Sequence, residues 1–214
     1  MALVRVCRGE AGEAVPEDVV RAVRNGGVLA MPTDSFYALG ASAHDDAAVR
    51  RVCAIKGERA RKPILVLIAD RSQLAGLVER VPPAAEALMD RFWPGPLTIV
   101  FPAAPHLPAA LTAGTGTIGV RQPAHPMLQR LLRETGPLTG TSANRSGAEP
   151  ARTAQDVEDA LGNDVDLIVD GGPSPGPLPS TVVETVSAVR VLREGPIRHA
   201  AIVAALAEAG MTVS

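Results

Sequence analysis

Apolar residues in this chain recur at helical spacing in one stretch and alternate or run unbroken in the next, and the switch repeats along all 214 residues. A chain patterned in that way folds as an α/β protein, because strands buried on a face need helices or a second sheet to cover them. The spacing predicts helices over 16–24, 45–55, 73–78, 83–92, 126–134, 154–161 and 197–209. It predicts strands over 28–31, 64–68, 97–101, 117–121, 137–141, 166–170, 180–184 and 189–192. Pro16 stands in a first helical turn with Gly26-Gly27 past the end, and Thr153 with Asp156 three residues on reads as an N-cap. Val49, Val52, Cys53 and Lys56 fall at i, i+3, i+4 and i+7, so the lysine emerges from a buried stripe at a helix C-terminus. There the helix dipole alone stabilises a cation by about 0.3–1 kcal/mol. No repeat interrupts the pattern, the Pro-rich run 171–179 leads straight into a strand, and the length suits one domain, 1–214.

Charge and composition remove several function classes. Lys and Arg number 21 against 23 Asp and Glu, a formal charge of −2, so a hold on nucleic acid would need a local basic patch. Aromatic residues are 2%, too few to stack successive bases. Cys7 and Cys53 lack CxxC spacing, and His44, His106, His125 and His199 are scattered, so neither a disulfide framework nor a metal held by side chains is expected. The cysteines read as reduced thiols. No apolar run approaches the roughly 18 residues that span a bilayer and no signal-peptide pattern opens the chain, so a cytoplasmic protein away from membranes is expected.

Familiar motifs fail on context. Gly114, Gly116 and Gly119 match GxGxxG but lead into a strand, so no helix N-terminus awaits a pyrophosphate. Ser142 sits in GTSAN, half of a GxSxG elbow without the second glycine. What remains is a set of polar side chains in loops at strand ends: Thr33, Asp34, Ser35 and Tyr37; Lys56 through Lys62; Thr117 and Arg121; Thr141, Ser142 and Asn144; Ser180 and Thr181; Arg193. Such loops gather ligand contacts in α/β sheets, and cations with hydroxyls but no acid/base pair suit a polyphosphate or another anion. Taken singly, Thr33 and Ser35 also serve as turn formers after Pro32, Asn144 as an Asx turn, and Arg121 and Arg193 as surface ion pairs. Lysine sharpens the reading. Of 21 basic side chains only Lys56 and Lys62 are lysine, both within KGERARKP beside Arg59 and Arg61, and arginine does not replace such a point charge.

Together these segments resemble the YrdC/TsaC family of threonylcarbamoyl-AMP synthases over nearly the whole chain. The matching pieces are PTDSFYALG, where the family has PTDTVYGLG, then IKGERARKPILVLI, FWPGPLTIVF, TIGVRQPAHP, GTSANRSG, DGG followed by PSTVVE, and VLREG. The resemblance implies a single YrdC-like α/β domain, a twisted mixed β-sheet with flanking helices and an open, positively lined concave face. It implies a nucleotidyltransferase that makes threonylcarbamoyl-adenylate and pyrophosphate from L-threonine, bicarbonate and ATP, with Mg2+, for threonylcarbamoyladenosine modification of tRNA. Partners would be tRNA or a modifying transferase. By position the resemblance assigns Ser35, Tyr37, Arg121 and Ser180 to L-threonine. It assigns Lys56, Lys62, Thr117, Ser142, Asn144 and Arg193 to ATP, with Lys56, Ser142 and Asn144 as the catalytic set.

One departure bears on the phosphates. The family pairs a KxR element with SxN; here Ser142-Ala143-Asn144 is intact, while the lysine element reads Lys56-Gly57-Glu58. At an effective dielectric near 20 and about 4 Å, exchanging attraction for repulsion against one phosphate charge amounts to about 8 kcal/mol before solvent relaxes it. Arg59 is therefore expected to take the phosphate, with Glu58 turned outward or paired with Arg61. Leu67, where some relatives carry a polar residue, together with Phe36 and Ala38, would reshape the threonine pocket. The alternative reading is a paralogue that keeps the fold and binds nucleotide or RNA without synthesis, and Glu58 is its main support.

Overall fold

A computed structural model describes residues 3–6, 14–57, 62–176 and 178–211, so Cys7, Glu58, Arg59 and Arg61 lie outside the described residues. In chain order the elements are β1 (Leu3–Val6), α1 (Glu17–Arg24), β2 (Leu29–Met31), β3 (Ala38–Gly40), α2 (Asp46–Lys56), β4 (Val66–Leu67) and a 3-10 segment (Arg71–Gly76). Then come α3 (Pro83–Phe92), β5 (Leu97–Pro102), α4 (Ala109–Thr112), β6 (Thr117–Arg121), α5 (Pro126–Thr135), β7 (Leu138–Thr139) and β8 (Thr141–Ser142). The chain continues through α6 (Ala154–Leu161), β9 (Leu167–Asp170), β10 (Thr181–Glu184), β11 (Arg190–Arg193) and α7 (His199–Glu208). The mixed sheet implied by the resemblance is divided in two, with strand orders β1-β9-β2-β3-β8 and β11-β10-β5-β6-β4-β7. Each combines parallel and antiparallel neighbours.

The six-stranded sheet positions the site because its strands present two different faces. Along β5, Leu97, Ile99 and Phe101 enter the core, while Thr98 and Val100 point the other way, into a cavity. β6 repeats this: Ile118 and Val120 are core, and Thr117, Gly119 and Arg121 face the cavity. β10 continues the row with Val183 inward and Val182 outward. The core cluster so formed also draws on β2, β3 and helices α2, α3, α6 and α7. A second cluster packs α1 and α5 against the opposite side chains of β2 and β9, namely Leu29, Met31, Leu167 and Val169.

Differences from the expected elements have local causes. Residues 73–78 do not form an α-helix; a 3-10 segment begins earlier, because Asp70 accepts from Ser72 N and Gln73 Oε1 accepts from Ala69 N at 2.7 Å. Those side chains compete for the hydrogen bonds of a longer helix. Residues 137–141, expected as one strand, split at Gly140: β7 pairs with β4 in one sheet and β8 with β3 in the other. A Cβ at Gly140 would lie 2.5 Å from Leu67 Cγ, so a bare Cα is what lets the chain cross between sheets beneath that leucine. Strands β1 and β3 and helix α4 span only 4, 3 and 4 residues, too short for a periodic signal. Thr153 and Asp156 form the full capping box at α6.

Candidate functional site

The outward side chains of the six-stranded sheet, together with the 33–38 and 140–142 segments, enclose a cavity of about 530 Å3. Ser35, Tyr37, Lys62, Thr117, Arg121, Ser142, Ser180 and Arg193 all border it, and among the described residues no aspartate, glutamate or histidine does. Lys56 and Asn144 stand behind Ser142 and do not line the cavity. Arg59 lies outside the described residues.

Arg121, 2% exposed, is a buried cation in the cavity wall. Its Nε donates to Gly95 O at 3.0 Å, and Gly95 N donates to Gln122 O at 2.8 Å, so the WPGP turn braces the guanidinium from behind. Nη1 donates to Ser35 Oγ at 3.3 Å, and Nη2 lies 2.5 Å from Asp34 Oδ1. Both of these atoms are buried and have no partner besides this ion pair. Asp34 is thus the counter-ion of Arg121, a role that a turn residue after Pro-Thr does not announce.

The polarity of Ser35 follows from its neighbours. Thr33 Oγ1 donates to Phe36 O at 2.7 Å and accepts from Ser35 N at 3.0 Å and Phe36 N at 3.2 Å, so it has no proton for Ser35 Oγ, 3.0 Å away. Ser35 Oγ accepts from Arg121 Nη1 and keeps a second lone pair for a ligand. Gly176 N donates to Ser35 O at 3.0 Å, and a Cβ at Gly176 would lie 2.2 Å from that oxygen, so the 171–176 loop seats directly on this backbone. Tyr37 takes part in the same seating: its hydroxyl donates to Gly172 O at 2.9 Å rather than into the cavity, and burial, reinforced by the Asp170 charge, pushes its pKa up.

On the opposite wall Arg193 grips Ser180 O through Nε at 3.0 Å and Nη2 at 2.8 Å, with Nη2 also 3.3 Å from Ser180 Oγ. Ser180 Oγ in turn lies 2.8 Å from Thr98 Oγ1. Burial lowers the Arg193 pKa, and the nearby Arg121 charge lowers it further, the electrostatic signature of two guanidiniums facing one space. Thr98 was hidden in an apolar strand, yet it is the polar residue in LTIVF at a cavity-facing register, and period-two counting would have found it.

Lys56 ends α2, but its side chain turns away from solvent, 9% exposed. Nζ donates to Ser142 O at 2.8 Å, Asn144 O at 2.8 Å and Asn144 Oδ1 at 2.6 Å, with Ser142 Oγ at 3.3 Å. An ammonium has three protons, and these oxygens engage all of them. Asn144 is itself held by Nδ2 donating to Ala148 O, and its Oδ1 accepts from Ser142 Oγ at 2.6 Å. Burial pushes the Lys56 pKa down to about 8. The lysine is an internal post for the 142–148 turn, with Ser142 as its face toward the cavity. Among the described residues no group of three His, Cys, Asp or Glu could hold a metal ion, and no helix is long and apolar enough to cross a membrane.

A family model named for Sua5, YciO and YrdC, and described as telomere recombination, matches residues 21–195. The threonylcarbamoyl-AMP synthase of Thiobacillus denitrificans is 42% identical over 173 residues, covering 80% of this chain and 90% of the relative. The crystal structure of Pyrococcus abyssi Sua5 complexed with L-threonine superposes with a TM-score of 0.87 at 31% identity, covering 100% of this chain and 62% of that one. Escherichia coli YciO superposes with a TM-score of 0.80 at 31% identity, covering 92% and 97%. The chain therefore spans less than two thirds of the Pyrococcus chain and nearly all of the E. coli one.

Proposed function

The chain belongs to the Sua5/YciO/YrdC family, and from that membership and the chemistry of its cavity we propose that it is a threonylcarbamoyl-AMP synthase acting on L-threonine, bicarbonate and ATP. The observation that carries the reading is a cavity bordered by Arg121, Arg193 and Lys62 with no acidic side chain in its lining among the described residues. Two anions fit such a space, an amino-acid carboxylate and a polyphosphate. In the reaction the threonine amine attacks the bicarbonate carbon and water leaves, giving a carbamate. A carbamate oxygen then attacks the α-phosphorus of ATP, the bond to the β-phosphate oxygen breaks, and pyrophosphate departs. The protein has to align two anions and absorb developing negative charge, a task for donors and cations rather than for a tuned base.

Each residue takes a role its environment supports. Arg121 holds the threonine carboxylate through its Nη donors, and Ser35 offers its lone pair to the amine. Ser180 and Arg193 form the wall between amino acid and nucleotide, while Lys62, Thr117 and Ser142 face the ATP. Lys56 and Asn144 act as positioning residues for Ser142, and Tyr37 positions the Ser35 backbone. Mg2+ would enter chelated by the triphosphate and water, since no grouped acidic side chains among the described residues suit it, and it would neutralise phosphate charge there. The proposal takes residues 1–214 as one domain, supported by a core cluster that draws on both sheets. It places the product in a cytoplasmic tRNA-modification route.

Pyrophosphate release with ATP and bicarbonate tests the reading, comparing L-threonine, carbamoyl phosphate and neither. Release only with threonine is expected. Silence in every arm would instead support a nucleotide- or RNA-binding module, and release with carbamoyl phosphate a different carbamoyl-adenylate chemistry. Arg59 remains the proposed phosphate ligand in place of the arginine expected at Glu58. Arg59→Ala should raise the KM for ATP by at least about tenfold, as loss of a charge-assisted hydrogen bond of about 1.5–3 kcal/mol implies. An unchanged KM together with a faster Glu58→Arg variant would overturn that assignment.

A further inference from the structure

Leu67 and Arg121 are directly in register between β4 and β6, and Thr98 and Val182 between β5 and β10. One residue on from the paired Ile99 and Val120, Thr98 stands across from Arg121. Leu67, Arg121, Thr98 and Val182 therefore form a row on the cavity face, about 4.8 Å apart from strand to strand. An amino acid whose carboxylate rests on Arg121 has Leu67 on one flank and Thr98 on the other. Leu67 offers no polar atom, and its branch packs over Gly140. The other flank holds the hydroxyl pair Thr98 Oγ1 and Ser180 Oγ, 2.8 Å apart, in residues 4% and 3% exposed.

That pair has a definite hydrogen-bonding capacity. Of its two protons one is used between the partners, whichever donates, so one O–H remains free. Arg193 Nη2 occupies a lone pair on Ser180 Oγ, and lone pairs on the pair remain for an incoming donor. An alcohol both donates and accepts, which is the complement of this arrangement. A methyl group in the same place would leave a buried hydroxyl unsatisfied, and sites built to bond a substrate hydroxyl reject analogues lacking it far more strongly than apolar pockets reject a missing methylene.

Resting on the threonine reading above, we infer that Thr98, paired with Ser180, reads the side-chain hydroxyl of the amino-acid substrate and is a specificity-determining residue. Leu67 is the apolar flank that leaves the hydroxyl no other place to bond in the row. The preferred substrate class is a 3-hydroxy amino acid, threonine or serine, over its deoxy analogue L-2-aminobutyrate.

The test compares wild type, Thr98→Val and Thr98→Ser with L-threonine and L-2-aminobutyrate, by pyrophosphate release and by calorimetric binding of the amino acid alone. Wild type should prefer threonine by at least about 100-fold. Thr98→Val, which keeps the shape and removes the hydroxyl, should lower kcat/KM for threonine about 10- to 100-fold while changing that for 2-aminobutyrate less than about threefold. Thr98→Ser should restore most of the preference. Equal losses for both amino acids in Thr98→Val, or a wild type indifferent to the hydroxyl, would overturn the inference. If wild type releases no pyrophosphate with any amino acid, the synthase reading fails by itself, and calorimetric preference for threonine, lost in Thr98→Val, still decides the role of Thr98. Absence of binding by either amino acid overturns both.

Discussion

Lys56→Ala is expected to lower kcat/KM for threonine and ATP at least about 100-fold, although the ammonium does not line the cavity. Its protons hold Ser142 O, Asn144 O and Asn144 Oδ1, so truncation strips Asn144 O of its donor and leaves Ser142 O and Asn144 Oδ1 with only Asn144 N and Ser142 Oγ. The unsatisfied carbonyl alone costs about 1–3 kcal/mol. The 142–148 turn would relax to find new partners and carry Ser142 out of position, and a displacement of about 1 Å in a positioning element is enough for a 100-fold loss. A readout separates positioning from direct phosphate contact. In the protein without ATP, amide exchange at Asn144, whose N–H donates to Ser142 O, should accelerate in Lys56→Ala. A lysine that only gripped phosphate would leave that exchange unchanged.

The same buried ammonium gives a pH dependence with opposite signs for activity and stability. Burial brings its pKa from the ordinary 10.5 down to about 8. Below about 8 the folded protein carries the charge and bears its desolvation cost. Between that value and the ordinary one the unfolded chain holds the extra proton, so stability contributed by this group rises with pH. Activity runs the other way, because a neutral amine has two protons for the surrounding oxygens and turns a lone pair toward one of them. We expect kcat/KM to fall as pH rises through about 8 with no matching fall in thermal midpoint from this residue. A profile that stays flat to pH 9.5 would remove Lys56 from the catalytic machinery.

Sequence reasoning reached the site more fully than it reached the fold around it, and particular residues explain the difference. LTIVF and TIGVR are long enough to alternate, so their cavity-facing positions can be read by counting in twos. β4 and β8 are two residues each, and their place depends on which sheet they join, which Gly140 and Leu67 decide through a contact between residues far apart in sequence. The chemistry-bearing loops were visible as polar groups after strand ends, and Arg121, Ser180, Ser35 and Arg193 do converge on one cavity. What spacing could not convey was direction. Lys56 looks like a cation offered to a ligand at a helix end, and only tertiary packing turns it inward to the 142–148 turn. Asp34 looks like a turn former until the buried guanidinium beside it needs a counter-charge.

Arg121→Gln should weaken amino-acid binding severely and destabilise the fold, and the two effects should come apart in a double variant. Removing one partner of a buried, hydrogen-bonded charge pair costs about 2–5 kcal/mol of binding, so the KM for threonine should rise about 30- to 4,000-fold while that for ATP changes little. The fold loses as well, because Asp34 is left without its guanidinium. A fully buried pair broken in this way costs about 3–5 kcal/mol. The Asp34 side chain is 17% exposed, which discounts the loss to about 2–3 kcal/mol, or about 5–10 °C in thermal midpoint. Adding Asp34→Asn to Arg121→Gln removes the stranded carboxylate and should recover most of that midpoint, since an uncharged amide needs no counter-ion. It restores no donor for the substrate carboxylate, so turnover should stay as low as in the single variant. A double variant that regains threonine binding would mean that the amino acid is anchored elsewhere in the cavity. One that regains no stability would mean that the carboxylate of Asp34 is satisfied by Ala124 N, 3.5 Å from its Oδ2, without the arginine.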